Sequence, residues 1–91
     1  MIYRYQGSKR FWKSFYALSS AQKASTRAVW FIFKTDPFHP SLRCHKIQHL
    51  SAVSNETIHA IWIEGDLRAV FSIRGDVIYT IDIGTHDIYK R

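Results

Sequence analysis

The chain has 91 residues, enough for one small domain and too few for a second core. With 46% hydrophobic and 15% aromatic residues it can fold without disulfide staples, and its single cysteine, Cys44, cannot form an intrachain disulfide. Thirteen Lys and Arg against seven Asp and Glu give a net charge of +6; residues 1–35 hold Arg4, Lys9, Arg10, Lys13, Lys23, Arg27 and Lys34 and no carboxylate, a surface suited to a phosphate backbone or an acidic protein segment.

The longest apolar run, "AVWFIF" at 28–33, is far short of the roughly 20 residues of a spanning helix, and "MIYRYQG" lacks the apolar core of a secretory signal. No membrane segment and a cytoplasmic location are expected. In chain order, "IYRYQ" at 2–6 alternates as a short strand does. From Ser8 the period lengthens: Phe11, Phe15 and Leu18 fall on one helical face, with Ser8 placed to cap it. Ser19 and Gln22 then spell a capping box, and Ala21, Ala24, Ala28 and Phe31 continue at helical spacing until "TDP" stops the helix near Thr35. Two helices so closely joined make an αα-hairpin.

After Pro37 and Pro40 the pattern becomes β. "LRCHKIQHL", "TIHAIWIE", "LRAVFSIR" and "VIYTIDIG" read as strands rich in Ile, Val, Phe and Tyr. The breaks between the last three, "EGD" and "RGD", are Gly-Asp turns of the hairpin type, so these strands form an antiparallel meander and the "RGD" at 74–76 is a turn rather than an adhesion motif. The fold class is α+β, ordered β-α-α-β-β-β-β, in one domain spanning 1–91, with the αα-hairpin packed on one face of a mostly antiparallel twisted sheet. Period two puts Leu67, Ala69, Phe71 and Ile73 on the helix side and Arg68, Val70, Ser72 and Arg74 on the open side.

Read as extended, the His45 segment puts His45, Ile47 and His49 on one face and Cys44 on the other. No C-x-x-C or H-E-x-x-H pattern supports a metal, and Cys44 reads as a small buried thiol. Cleaving RNA without a metal needs a base for the 2′-hydroxyl, an acid for the departing 5′-oxygen and cations on the phosphate. Histidine serves both proton roles and arginine the last. His45, Arg68 and His86 offer these parts.

The element order, with "DPFHPSLRCHKI", "IEGDLRAVFSI" and "DIGTHDIYK" in sequence, resembles the RelE/ParE superfamily of bacterial toxins from toxin–antitoxin modules over nearly the whole chain. The "L-x-x-H" of Leu42 to His45 and the "I-G-T-H" of Ile83 to His86 are most similar to its YafQ-like branch, and "D-L-R" at 66–68 is similar to its phosphate-contacting arginine. The resemblance implies a ribosome-dependent mRNA endonuclease that acts in the A site with no metal or other cofactor and no small-molecule substrate. It implies that His45 and His86 transfer protons, Asp66 orients a histidine, Arg68 holds the scissile phosphate and Tyr89 stacks near the cut nucleotide. Arg43, Lys46, Arg74, Lys90 and Arg91 are the surrounding cations expected to bind RNA. The strand before "D-L-R" departs from the pattern: Ala60 and Trp62 stand where the YafQ-like branch has another carboxylate and histidine, and His59 is the nearest polar residue to the strand lysines of RelE.

Two alternatives stay open. A ParE-like inhibitor of DNA gyrase would share the fold and charge without the nuclease site, and a non-catalytic binder of RNA or of a partner protein would suit Ala60 and Trp62. All three readings imply an adjacently encoded antitoxin, small and acidic or amphipathic, with the basic αα-hairpin as its expected docking surface.

Overall fold

The computed structural model describes residues 3–54 and 56–90, and of these the side chains of His49, Val53, Ser54 and Lys90 fall outside the description. Strand β1 (Arg4–Gly7) leads through Ser8 into helix α1 (Lys9–Tyr16) and helix α2 (Ser20–Thr35). Both helices start where their caps were expected. The Ser8 hydroxyl accepts from the Phe11 N–H at 3.0 Å and donates to the Ile81 carbonyl at 2.6 Å, so one side chain caps α1 and ties it to the sheet. The Ser19 and Gln22 side chains form the reciprocal capping box of α2.

A 3₁₀ turn (Pro40–Leu42) precedes β2 (His45–Lys46), which is followed by helix α3 (Gln48–Ser54), the meander strands β3 (Ile58–Glu64), β4 (Leu67–Arg74) and β5 (Val77–Gly84), and a terminal 3₁₀ turn (His86–Lys90). The expected strand at 42–50 is thus only two residues long and its second half is helical, a difference that follows from a short apolar run carrying no decisive period. His45 and His49 therefore do not lie along one strand. Gly65 and Gly75, at φ +47° and +63°, make the two hairpin turns in a backbone region that side chains disfavour.

The sheet order is β1-β5-β4-β3-β2, with β1 parallel to β5 and every other pair antiparallel. On one face the αα-hairpin closes a core of Phe11, Phe15, Phe33, Ile61, Phe71 and Ile78. The Tyr5 hydroxyl reaches the Phe33 carbonyl at 2.7 Å from β1, and Ser14 of α1 donates to the buried Asp82 of β5 at 2.7 Å.

The opposite face is less open than its alternation suggests. Ile58, Ala60 and Val70 of the sheet form a second apolar cluster with Ile47 and Ile88, against which Leu50, Ile81 and Tyr89 pack. Helix α3 and the terminal 3₁₀ turn cover this part of the sheet, which leaves the end of the face nearest the β3–β4 turn as the accessible portion. Among the described residues no helix is long and apolar enough to cross a membrane.

Candidate active site

Cross-strand partners share a face of a sheet, so the register places the candidate side chains. Trp62 pairs with Arg68 and Arg68 with Gly84, while one pair further along His45 meets Ala60 and Ala60 meets Val70. The row through Arg68 therefore has an indole on one side and a glycine on the other. His45 lies two strands from the Arg68 strand, about 10 Å across the sheet.

Asp66, in the β3–β4 turn, is the hub. Its Oδ1 accepts from Arg68 Nη1 at 2.7 Å and from His86 Nδ1 at 3.0 Å, and its carbonyl accepts from the same Nη1 at 3.0 Å. A carboxylate only accepts, so Nδ1 of His86 carries the hydrogen and Nε2 is the ring nitrogen outside that bond. Partial desolvation pushes the Asp66 carboxyl up, and the bonds from Arg68 and His86 more than offset it, holding the carboxyl below its ordinary value. Arg68 is only 21% exposed, and Asp66 engages its Nη1, leaving Nη2 and Nε outside that interaction.

His86 reaches Asp66 because the chain folds back over the sheet after β5. A Cβ on Gly84 would stand 2.6 Å from Ile88 Cγ2, so glycine here makes room for the buried Ile88 of the terminal turn. Burying Ile88 stabilises that turn by about 1.5–3 kcal/mol, more than an exposed ion pair contributes. Ile88 anchors the turn, and Asp66 aims the histidine it delivers. Tyr89 is half-buried with its ring edge-on to His86 at 5.4 Å. Burial above all pushes its phenol up, with Arg68 opposing and Asp66 adding, so it stays protonated at neutral pH.

His45 is exposed and its Nδ1 lies 3.1 Å from the Arg43 carbonyl, which can only accept, so Nδ1 again carries the hydrogen and the neutral ring presents an unprotonated Nε2. Arg43 holds its guanidinium 4.4 Å from the centroid of the Trp62 ring, and Trp62 Nε1–H donates to the Gly65 carbonyl at 3.0 Å.

The structure thus brings Asp66, Arg68, His86 and Tyr89 together, with His45 and Arg43 flanking them across Trp62. Arg74 is not in this group. It sits at the far end of β4, roughly 20 Å from Arg68, bonded to Glu56 through Nε at 3.2 Å and Nη2 at 3.0 Å and lying over the Tyr79 ring at 4.3 Å. Lys46 alternates away from His45 and pairs with His59. Arg91 and the Lys90 side chain lie outside the described residues, as does the His49 side chain.

His59 does not replace the missing polar groups of β3. It faces the αα-hairpin side, stacked on Phe71 at 5.3 Å and edge-on to Phe38 at 5.9 Å. His39 accepts from the Ser41 N–H at 3.1 Å and caps the 3₁₀ turn. Cys44 packs against the main core, and burial pushes its thiol up to about 11, which keeps it protonated and inert. Among the described residues no three His, Cys, Asp or Glu side chains are grouped as metal ligands. The Arg43–Trp62 contact is the feature that sequence reasoning missed. Extending the regular hairpin register back from "EGD", which pairs Glu64 with Leu67, would have set Trp62 opposite Ala69; a register shift between Trp62 and Glu64 brings it to Arg68 instead.

No sequence-family model and no curated protein matches the chain. Solved structures do. A chain of the archaeal RelE–RelB complex from Pyrococcus horikoshii OT3 is 18% identical with a TM-score of 0.70, over 93% of this chain and 96% of that one. A chain of the DinJ–YafQ complex of E. coli is 17% identical with a TM-score of 0.65, over 94% and 96%. A metal-bound toxin from Helicobacter pylori is 15% identical with a TM-score of 0.65, over 94% and 97%. The α+β architecture is shared across nearly the full length of each. The chain has the RelE-like toxin fold.

Proposed function

We propose that this protein is the toxin of a toxin–antitoxin pair and acts as an endoribonuclease that cuts mRNA on the ribosome by metal-free acid/base catalysis. The observation that carries this reading is Asp66 bonded at once to Arg68 and His86, which joins the proposed phosphate fork and proton-transfer histidine in one hydrogen-bonded unit. In the reaction the 2′-oxygen attacks phosphorus and loses its proton to one histidine. Phosphorus releases the 5′-oxygen, which takes a proton from the other, leaving a 2′,3′-cyclic phosphate. His45 and His86, each with Nδ1 hydrogen-bonded and Nε2 outside that bond, supply the two roles. Arg68 stabilises the charge that collects on the phosphate oxygens, and Asp66 positions both of its partners.

The same reading calls for an antitoxin, and the RelE–RelB and DinJ–YafQ complexes support that expectation. The αα-hairpin offers a groove of about 390 Å³ lined by Trp12, Phe15, Tyr16 and Phe31 between the cations Arg27 and Lys34. Phe31 is 80% exposed and Tyr16 65%. Exposed aromatics ringed by cations, with no acid before Asp36, suit an acidic amphipathic segment.

The test is induction of the protein from a tightly controlled promoter with mapping of mRNA 5′ ends. Cuts in phase with codons are expected, and they should vanish in an Arg68→Ala, His86→Ala double variant. Intact mRNA together with gyrase-linked DNA breaks would transfer the protein to the ParE-like reading.

A further inference from the structure

Trp62 stands where a second catalytic group was expected on β3, and the structure gives it a partner rather than leaving it a bare substitution. The indole is pinned by its Nε1–H bond to the Gly65 carbonyl and covered by the Arg43 guanidinium. Arg43 is exposed, and among the described residues it is the only non-glycine with positive φ, at +50°. The Pro40 carbonyl accepts its N–H at 3.2 Å, and its own carbonyl is occupied by His45 Nδ1. The backbone thus holds an arginine in a conformation arginine disfavours, and by doing so sets both a guanidinium over an indole and the tautomer of a site histidine. Backbone outliers of this kind collect at functional sites.

We infer that the Arg43–Trp62 pair is a nucleobase platform: the base of the nucleotide next to the phosphate held by Arg68 stacks on the guanidinium face turned away from the indole. The inference rests on the RNA-cleaving reading, which supplies the single-stranded RNA. Neighbouring strands are about 4.8 Å apart, so the platform borders the Arg68 row directly. Unpaired bases are bound by stacking on aromatic rings and guanidinium planes. A cation serving merely to cover the indole need not be planar, and lysine would do as well. A base platform needs the plane.

The test is an NMR titration of the intact protein with an RNA hexanucleotide whose sugars are all 2′-O-methylated, so that no 2′-hydroxyl can attack. The Trp62 indole N–H signal, assigned by its loss in Trp62→Phe, should shift on binding, and one abasic replacement in the hexanucleotide should abolish the shift. Arg43→Lys, an exposed change that keeps the charge, should weaken binding about 5- to 100-fold, the range of one base-stacking contact, while Trp62→Phe keeps most of it. If the wild type binds but Arg43→Lys binds equally well and no single abasic site matters, the platform is wrong and the RNA reading stands. If the wild type does not bind the hexanucleotide at all, the platform falls, and the ribosome-dependent reading is decided by the mapped mRNA ends.

Discussion

Asp66 is exposed, yet three hydrogen bonds converge on it from Arg68 and His86. Its carboxyl is held below its ordinary value, so it keeps its charge to a lower pH than an ordinary aspartate does. Asp66→Asn keeps the shape and removes the charge. His86→Gln, which deletes the proposed proton-transfer group, should slow cleavage roughly 10²- to 10⁴-fold; Asp66→Asn should cost less and alter the pH profile, because it loosens the aim of His86 without deleting it. Single-turnover cleavage on programmed ribosomes from about pH 5 to pH 8 distinguishes the two. An unchanged rate and profile in Asp66→Asn would remove Asp66 from the mechanism.

At the scale of elements, β3 presents opposite chemistries on its two faces. Ala60 and Trp62 look toward the site, while His59 is wedged among Phe38 and Phe71 on the helix side. Burial first, and then the Lys46 charge, holds the His59 imidazole below its ordinary value. The sign follows: as the pH falls the unfolded chain takes the proton before the folded one does, so stability drops from about pH 7 downward and levels off below the folded value. His59→Phe keeps an aromatic ring in the stack and has nothing to protonate, so urea unfolding should show less acid sensitivity than in the wild type. Equal loss in both proteins would mean that His59 is protonated without cost in the fold.

For the molecule as a whole, charge and apolar exposure coincide on the αα-hairpin. The site lies on the other face of the sheet, so a segment seated in the groove would hold the protein without touching Asp66 unless it also wraps around an edge. Phe31→Glu should leave the fold intact, since Phe31 is 80% exposed, and should weaken retention of the proposed antitoxin at least about tenfold, as loss of an aromatic anchor does. Quantitative co-purification from the native host reads this directly, and equal capture by wild type and variant would move the docking surface elsewhere.

The two caps, the αα-hairpin and the three-strand meander were legible in the sequence because local chemistry dictates them: a serine that accepts at an N-terminus, an apolar period, a glycine that turns a hairpin. Asp66 and Arg68, two residues apart across a turn, belong to the same local category. Helix α3 was hidden because its apolar residues are too few to show a period, and its place was set by the second cluster it covers. His86 meets Asp66 across 20 residues, through an approach that depends on Gly84 having no side chain and on Ile88 finding a buried seat. Arg43 over Trp62 and the inward turn of His59 likewise follow from register and strand parity. Composition alone cannot convey which side chains of distant segments share a face; packing the chain into a sheet settles that.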